Sequence, residues 1–162
     1  MFGLSKKSPA DAVKKQFLIW HDACMMFVTD ETEGEGLVAN KKMLDEPRPK
    51  LGACLFFIGS IDYLCQNYDI RDADFMKLAD SLLQEVGYPR WLIASIMVNF
   101  CVHEQRPDFA VQVMAEGGQR LADFLNGKNQ FAPYAFSSLV REWAQNPELG
   151  ADELPLFEKV ER

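Results

Sequence analysis

Apolar residues in the stretch 51–68, LGACLFFIGSIDYLCQNY, surround a helix on every side. Strand alternation fails where Leu55, Phe56, Phe57 and Ile58 run together, and the length and low β-branched content of the stretch favour a helix. A helix with no wet face belongs in the middle of a domain. Arg48-Pro49 supplies its start, because a first-turn N–H has no partner to lose, and Asn67-Tyr68-Asp69 supplies a stop. Gly52, Phe56, Gly59 and Tyr63 recur at i, i+4, i+7 and i+11, so the two glycines share one face and predict the close approach of another helix. The segment 89–104 reads similarly, since Pro89 starts it and only Ser95 and Asn99 interrupt the apolar run from Trp91 to Val102.

Five further patterns surround these two. Ser8-Pro9-Ala10-Asp11 is a helix start, with serine as cap, proline first and an acid three residues after the cap, and the stripe Val13, Phe17, Trp20, Cys24, Phe27 carries that helix to about Val28. The stretch 37–44 reads as a short helix before a proline-bearing turn. Phe75, Leu78, Ala79, Leu82, Leu83 and Val86 mark a helix from about Asp69 to Gly87. Pro107 opens a helix with Phe109, Val113, Leu121, Phe124 and Leu125 inward, and Gly117-Gly118 predicts a kink or break within it. Pro133 to Gln145 forms the last helix, ended by Asn146-Pro147. The expectation is an all-α, single-domain bundle of about six helices spanning 1–162, with central helices near 51–68 and 89–104. Residues 1–8, the acidic glycine-bearing loop 29–36 and the tail 148–162, with an LPLF patch at Leu154–Phe157, are expected to be flexible. Two internal helices exceed what one small core needs, so either they cross at its centre or a second subunit covers one of them.

Composition narrows the function classes. At 162 residues with 48% hydrophobic content the chain fits one domain with a proper core and is not a disordered protein. No uncharged run reaches the roughly 20 apolar residues that span a bilayer, and charges at Asp11, Lys14 and Lys15 interrupt any export signal. The net charge of −7 lies wholly beyond residue 50, where sixteen acids face nine bases. Such a surface repels phosphate backbones and disfavours nucleic acid and anionic membrane, while permitting a basic protein partner. Cys24, Cys54, Cys65 and Cys101 sit among apolar neighbours without a CxxC pair and read as reduced core thiols of a cytoplasmic protein.

Candidate chemistry is sparse. Asp62 is the most informative polar residue, because a carboxylate on an all-round apolar helix must be hydrogen-bonded, paired or lining a cavity, or else lie in a groove at the helix edge beside Gln66. His21-Asp22 matches the ligand dipeptide of metal-dependent phosphohydrolases of the HD type, but that pattern needs an earlier histidine, and none precedes His21. His103-Glu104 falls at a helix end, where capping accounts for it. His21, Cys24, His103 and Glu104 form a metal set only if two helices meet, and no spacing requires it. Apolar surroundings raise a thiol's pKa, which argues against a catalytic cysteine, and no phosphate-binding glycine loop is present. No cofactor is implied.

Three functional expectations follow. The first is a non-enzymatic cytosolic interaction protein, an adaptor, inhibitor or chaperone-like molecule that binds a protein partner, itself, or both. The second is a small-molecule- or metal-binding helical protein, enzymes included, with Asp62, Tyr63, His21 and His103 converging on an interhelical pocket. The third is an acidic immunity or neutralising protein for a basic partner.

Overall fold

The computed structural model describes residues 8–29, 39–101 and 108–149. Seven α-helices occur among them: α1 (Pro9–Met25), α2 (Lys41–Asp45), α3 (Pro47–Asn67), α4 (Asp72–Glu85), α5 (Arg90–Ile96), α6 (Asp108–Leu125) and α7 (Tyr134–Gln145). No strand occurs among the described residues, and an isolated bridge pairs Thr29 with Asn40. The chain is the all-α bundle that its periodicity predicts, with the short α2 added to the six principal helices.

Two helix starts and one helix end have a local cause. The Ser8 hydroxyl accepts from the Asp11 N–H at 3.2 Å while the Asp11 carboxylate accepts from the Ser8 N–H at 3.3 Å, so two first-turn donors are satisfied reciprocally. Pro47 opens α3, slightly ahead of the expected Arg48-Pro49. Gly87, at φ +101°, closes α4 in the left-handed conformation that glycine reaches without penalty.

Helix α3 is the axis of the molecule. Every residue from Leu51 to Ile61 is buried, as are Leu64 and Cys65, and α1, α2, α4, α5, α6 and α7 all pack against it. On the α1 side the contact is made of rings. Phe57 lies edge-on to Phe17 at 5.9 Å, and Trp20 stacks on Phe56 at 6.2 Å. Phe136 and Trp143 of α7 complete the cluster around Phe56.

On the α6 side the contact is backbone against backbone. A Cβ at Gly59 would overlap the Met114 carbonyl, and one at Gly117 would overlap the Phe56 carbonyl. Gly59 thus confirms the predicted close approach, whereas Gly52 faces the Trp143 ring of α7. Of the kink or break expected at Gly117-Gly118, the break does not occur: α6 runs unbroken from Asp108 to Leu125. Two glycines cost the helix about 1 kcal/mol each in propensity, and the close packing that they permit outweighs that cost.

The 89–104 segment is described as far as Cys101. It starts as α5, widens into a π turn over Met97–Cys101, and sends Leu92, Ile93, Ile96 and Met97 into the core, with Val98 57% exposed on the outer side. Its core contribution is therefore one-sided among the described residues. The loop 29–36 beyond Thr29, the residues 1–7, and the tail from 150 with its Leu154–Phe157 patch lie outside the described residues.

Candidate functional site

Beside the glycine contact, α3 and α6 part to leave an open groove of about 310 Å³. From α3 come Gly59, Asp62, Tyr63 and Gln66, at i, i+3, i+4 and i+7, a single helical stripe. From α6 come Val111, Met114, Ala115, Gly118 and Gln119, a second stripe with the same spacing. The two stripes converge because Gly59 and Gly117 bring the backbones together; larger residues there would hold the helices apart.

Asp62 is half-buried in this groove, and its carboxylate accepts from the Gln66 side-chain amide at 2.8 Å. Both features anticipated for it are present, a groove at the helix edge and Gln66 beside it. Across the groove the Gln119 amide donates to Asp123 at 2.9 Å. Val111 is 46% exposed, so the α6 wall presents apolar surface to water. Burial, and next the charge of Asp62, push the Cys65 thiol up to about 11.

The anticipated convergence of four side chains is only partly met. Asp62 and Tyr63 share the groove. His21 lies on α1, with its ring 4.9 Å from that of Phe57 and 6.2 Å from that of Phe17. Asp62 is five residues beyond Phe57, which places it about 140° further round the α3 axis, so the two side chains serve different faces. His103, and with it Glu104, lies outside the described residues.

The His21 side chain is 13% exposed, and its buried Nδ1 makes no hydrogen bond among the described residues. The Asp22 carboxylate stands 3.7 Å away, too far for one. Burial lowers the His21 pKa from 6.5, and the Asp22 charge offsets part of that. Cys24, three residues on, is fully buried, and its thiol is pushed well up by desolvation. A thiol held protonated in this way is a poor nucleophile. No group of three His, Cys, Asp or Glu side chains placed to hold a metal occurs among the described residues.

The α6 half of the groove was missing from the sequence analysis. Val111, Met114, Ala115 and Gly118 repeat at helical spacing alongside the core stripe of Phe109, Val113 and Leu121, and that second stripe was the available signal. A separate groove of about 330 Å³ between α6 and α7 is more highly charged, and there Arg120 is paired with Glu116 at 2.7 Å. Comparison of the chain with family models, curated proteins and solved structures gives no match.

Proposed function

We propose that this protein is a non-enzymatic, cytoplasmic binding protein that docks a polypeptide partner in the α3–α6 groove. The observation that carries it is the pairing of an apolar wall, exposed Val111 and half-buried Met114, with an opposing polar edge, Asp62 and Gln66, on two helices locked together by their backbones. Apolar surface supplies affinity, a few placed polar groups supply orientation, and a rigid floor reduces the ordering cost of binding. The net charge of −7 favours a protein over nucleic acid or an anionic membrane. No helix among the described residues is long and apolar enough to cross a membrane. Buried reduced thiols at Cys24, Cys54 and Cys65 support a reducing compartment.

Self-association is the second reading, favoured by a different patch. Phe27 at the end of α1 meets Tyr134 at the start of α7 edge-on at 5.3 Å, and Met26 and Phe131 nearby in the chain are 82% and 67% exposed. Photocrosslinking residues placed singly at Val111, at Phe131 and at exposed Ser81 of α4 separate the readings in cells. Polypeptide adducts at 111 well above those at 81 are expected. An adduct at 131 with twice the chain's mass would assign that patch to a second copy. Labelling at 111 no greater than at 81 would remove the groove as a docking surface.

A further inference from the structure

We propose that the outer face of α1 is a two-fold self-association surface, on which two copies of the chain lay their α1 helices antiparallel with Lys15 of each copy against Asp22 of the other. The assignment rests on self-association, the second of the two readings, and gives it a surface. Lys15, Ile19, Asp22 and Met26 follow one another at i, i+4, i+7 and i+11, a single stripe on the side of α1 opposite the buried Val13, Phe17, Trp20 and Cys24. A bundle helix ordinarily turns a polar face to water. This one exposes Ile19 at 52% and Met26 over most of its surface, with exposed Lys15 ahead of Ile19 and exposed Asp22 between the two.

Charge selects a second copy as the occupant. Lys15 and Asp22 lie about 10 Å apart along the helix and have opposite sign, so a stripe turned end for end about its midpoint near Ile19 sets each lysine on an aspartate. Self-complementarity of this kind is what a two-fold interface requires, and an unrelated partner has no reason to match it. Both ions are available. Lys15 has no hydrogen bond or ion pair among the described residues, whereas Lys14 beside it is paired with Glu85 at 3.0 Å. Asp11, one turn before Lys15, has its carboxylate on the Ser8 N–H. The group nearest to the Asp22 carboxylate is the His21 Nδ1 at 3.7 Å, on an imidazole whose pKa burial lowers, so at neutral pH the Asp22 charge is uncompensated. Ile19, close to the midpoint, packs on its own twin and leaves water. Met26 lies over the first turns of the other α1, and Phe27 after it meets the Tyr134 ring, which extends the apolar surface at that end.

Sedimentation equilibrium of the full-length chain at low salt, loaded up to about 1 mM, reads the association. A single helix pair is a small interface, and a dissociation constant of about 100 μM is expected. Lys15→Glu sets like charges face to face at both ends of the pair, as does Asp22→Lys, and each should weaken self-association about tenfold. In an equimolar mixture of the two variants every facing pair is again opposite in sign, and heterodimers should form with the parent affinity. Recovery on mixing requires residue 15 of one copy to face residue 22 of the other. Both positions are exposed. If either variant nonetheless fails to fold, a photocrosslinking residue in place of Ile19 in the otherwise native chain answers instead, with an expected adduct of twice the chain's mass joined within residues 15–26. A chain that stays monomeric at the highest loading removes self-association itself. A dimer indifferent to both charge reversals, variants that stay weak when mixed, an assembly of more than two copies, or Ile19 adducts joined elsewhere would leave self-association standing and overturn this surface.

Discussion

Helix α3 meets α6 and α1 in opposite ways. Against α6 it uses backbone: Gly59 under Met114 and Phe56 under Gly117, with no room for a side chain between. Against α1 it uses rings, Phe56 and Phe57 packed on Phe17, Trp20 and His21. A backbone contact cannot relax by rotating a side chain, so added volume must move a whole helix. A ring contact repacks more readily, but it admits a titratable ring, His21, that is largely withdrawn from water. The first interface is rigid and carries the groove; the second encloses His21, whose pKa burial lowers.

The largest test of that contrast adds one methyl group to one interface and removes part of a ring from the other. Gly59→Ala should lose about 3 kcal/mol of stability in urea unfolding, because the new Cβ falls on the Met114 carbonyl. Phe57→Leu, at a fully buried position, should lose only about 1.5 kcal/mol. Equal losses would break the comparison.

An intermediate effect belongs to Ser60, where the two interfaces are joined. Its hydroxyl accepts from the Trp20 indole N–H at 3.0 Å and stands 3.0 Å from the Gly117 carbonyl and 3.1 Å from the Phe56 carbonyl, with one proton to donate between them. Ser60→Ala orphans a buried indole N–H and should cost about 2 kcal/mol. In a Trp20→Phe background the same substitution should cost clearly less, since that donor is already gone. Identical costs in the two backgrounds would show that the hydroxyl does not link α1 to α6.

The smallest effect is the titration of His21. Its folded pKa lies below 6.5, so between the two values the unfolded chain binds more protons than the folded one. The contribution to stability is fully present above pH 6.5 and is lost as the pH falls from there through the folded value. Thermal unfolding across that window should show a decline that His21→Phe flattens. A variant whose profile superimposes on that of the parent chain would sever the link to His21.

The architecture was legible where periodicity is strong. The capping box at Ser8, the all-round apolar stretch at 51–68 and the closing Gly87 each act through neighbours in the chain, and each is found where the pattern placed it. Legibility failed at Gly117-Gly118 because a glycine pair carries the same local signal whether it breaks a helix or lets another helix touch it. The outcome depended on Phe56, far away in sequence. Asp62 was legible as unusual and a groove beside Gln66 was among its alternatives, but the residues of the opposite wall were not legible, since they come from α6.

By itself, then, the amino-acid sequence determined that this chain is helical, which segments are helices, and that the 51–68 stretch must be enclosed, because capping, propensity and apolar periodicity act within a few residues. Only the tertiary structure decided which helix lies against which face of α3, that the α6 glycines are contacts and not a hinge, and that Asp62 and Tyr63 share a groove that His21 does not reach. Those outcomes depend on the approach of backbones distant along the chain, and short-range spacing carries no record of that distance.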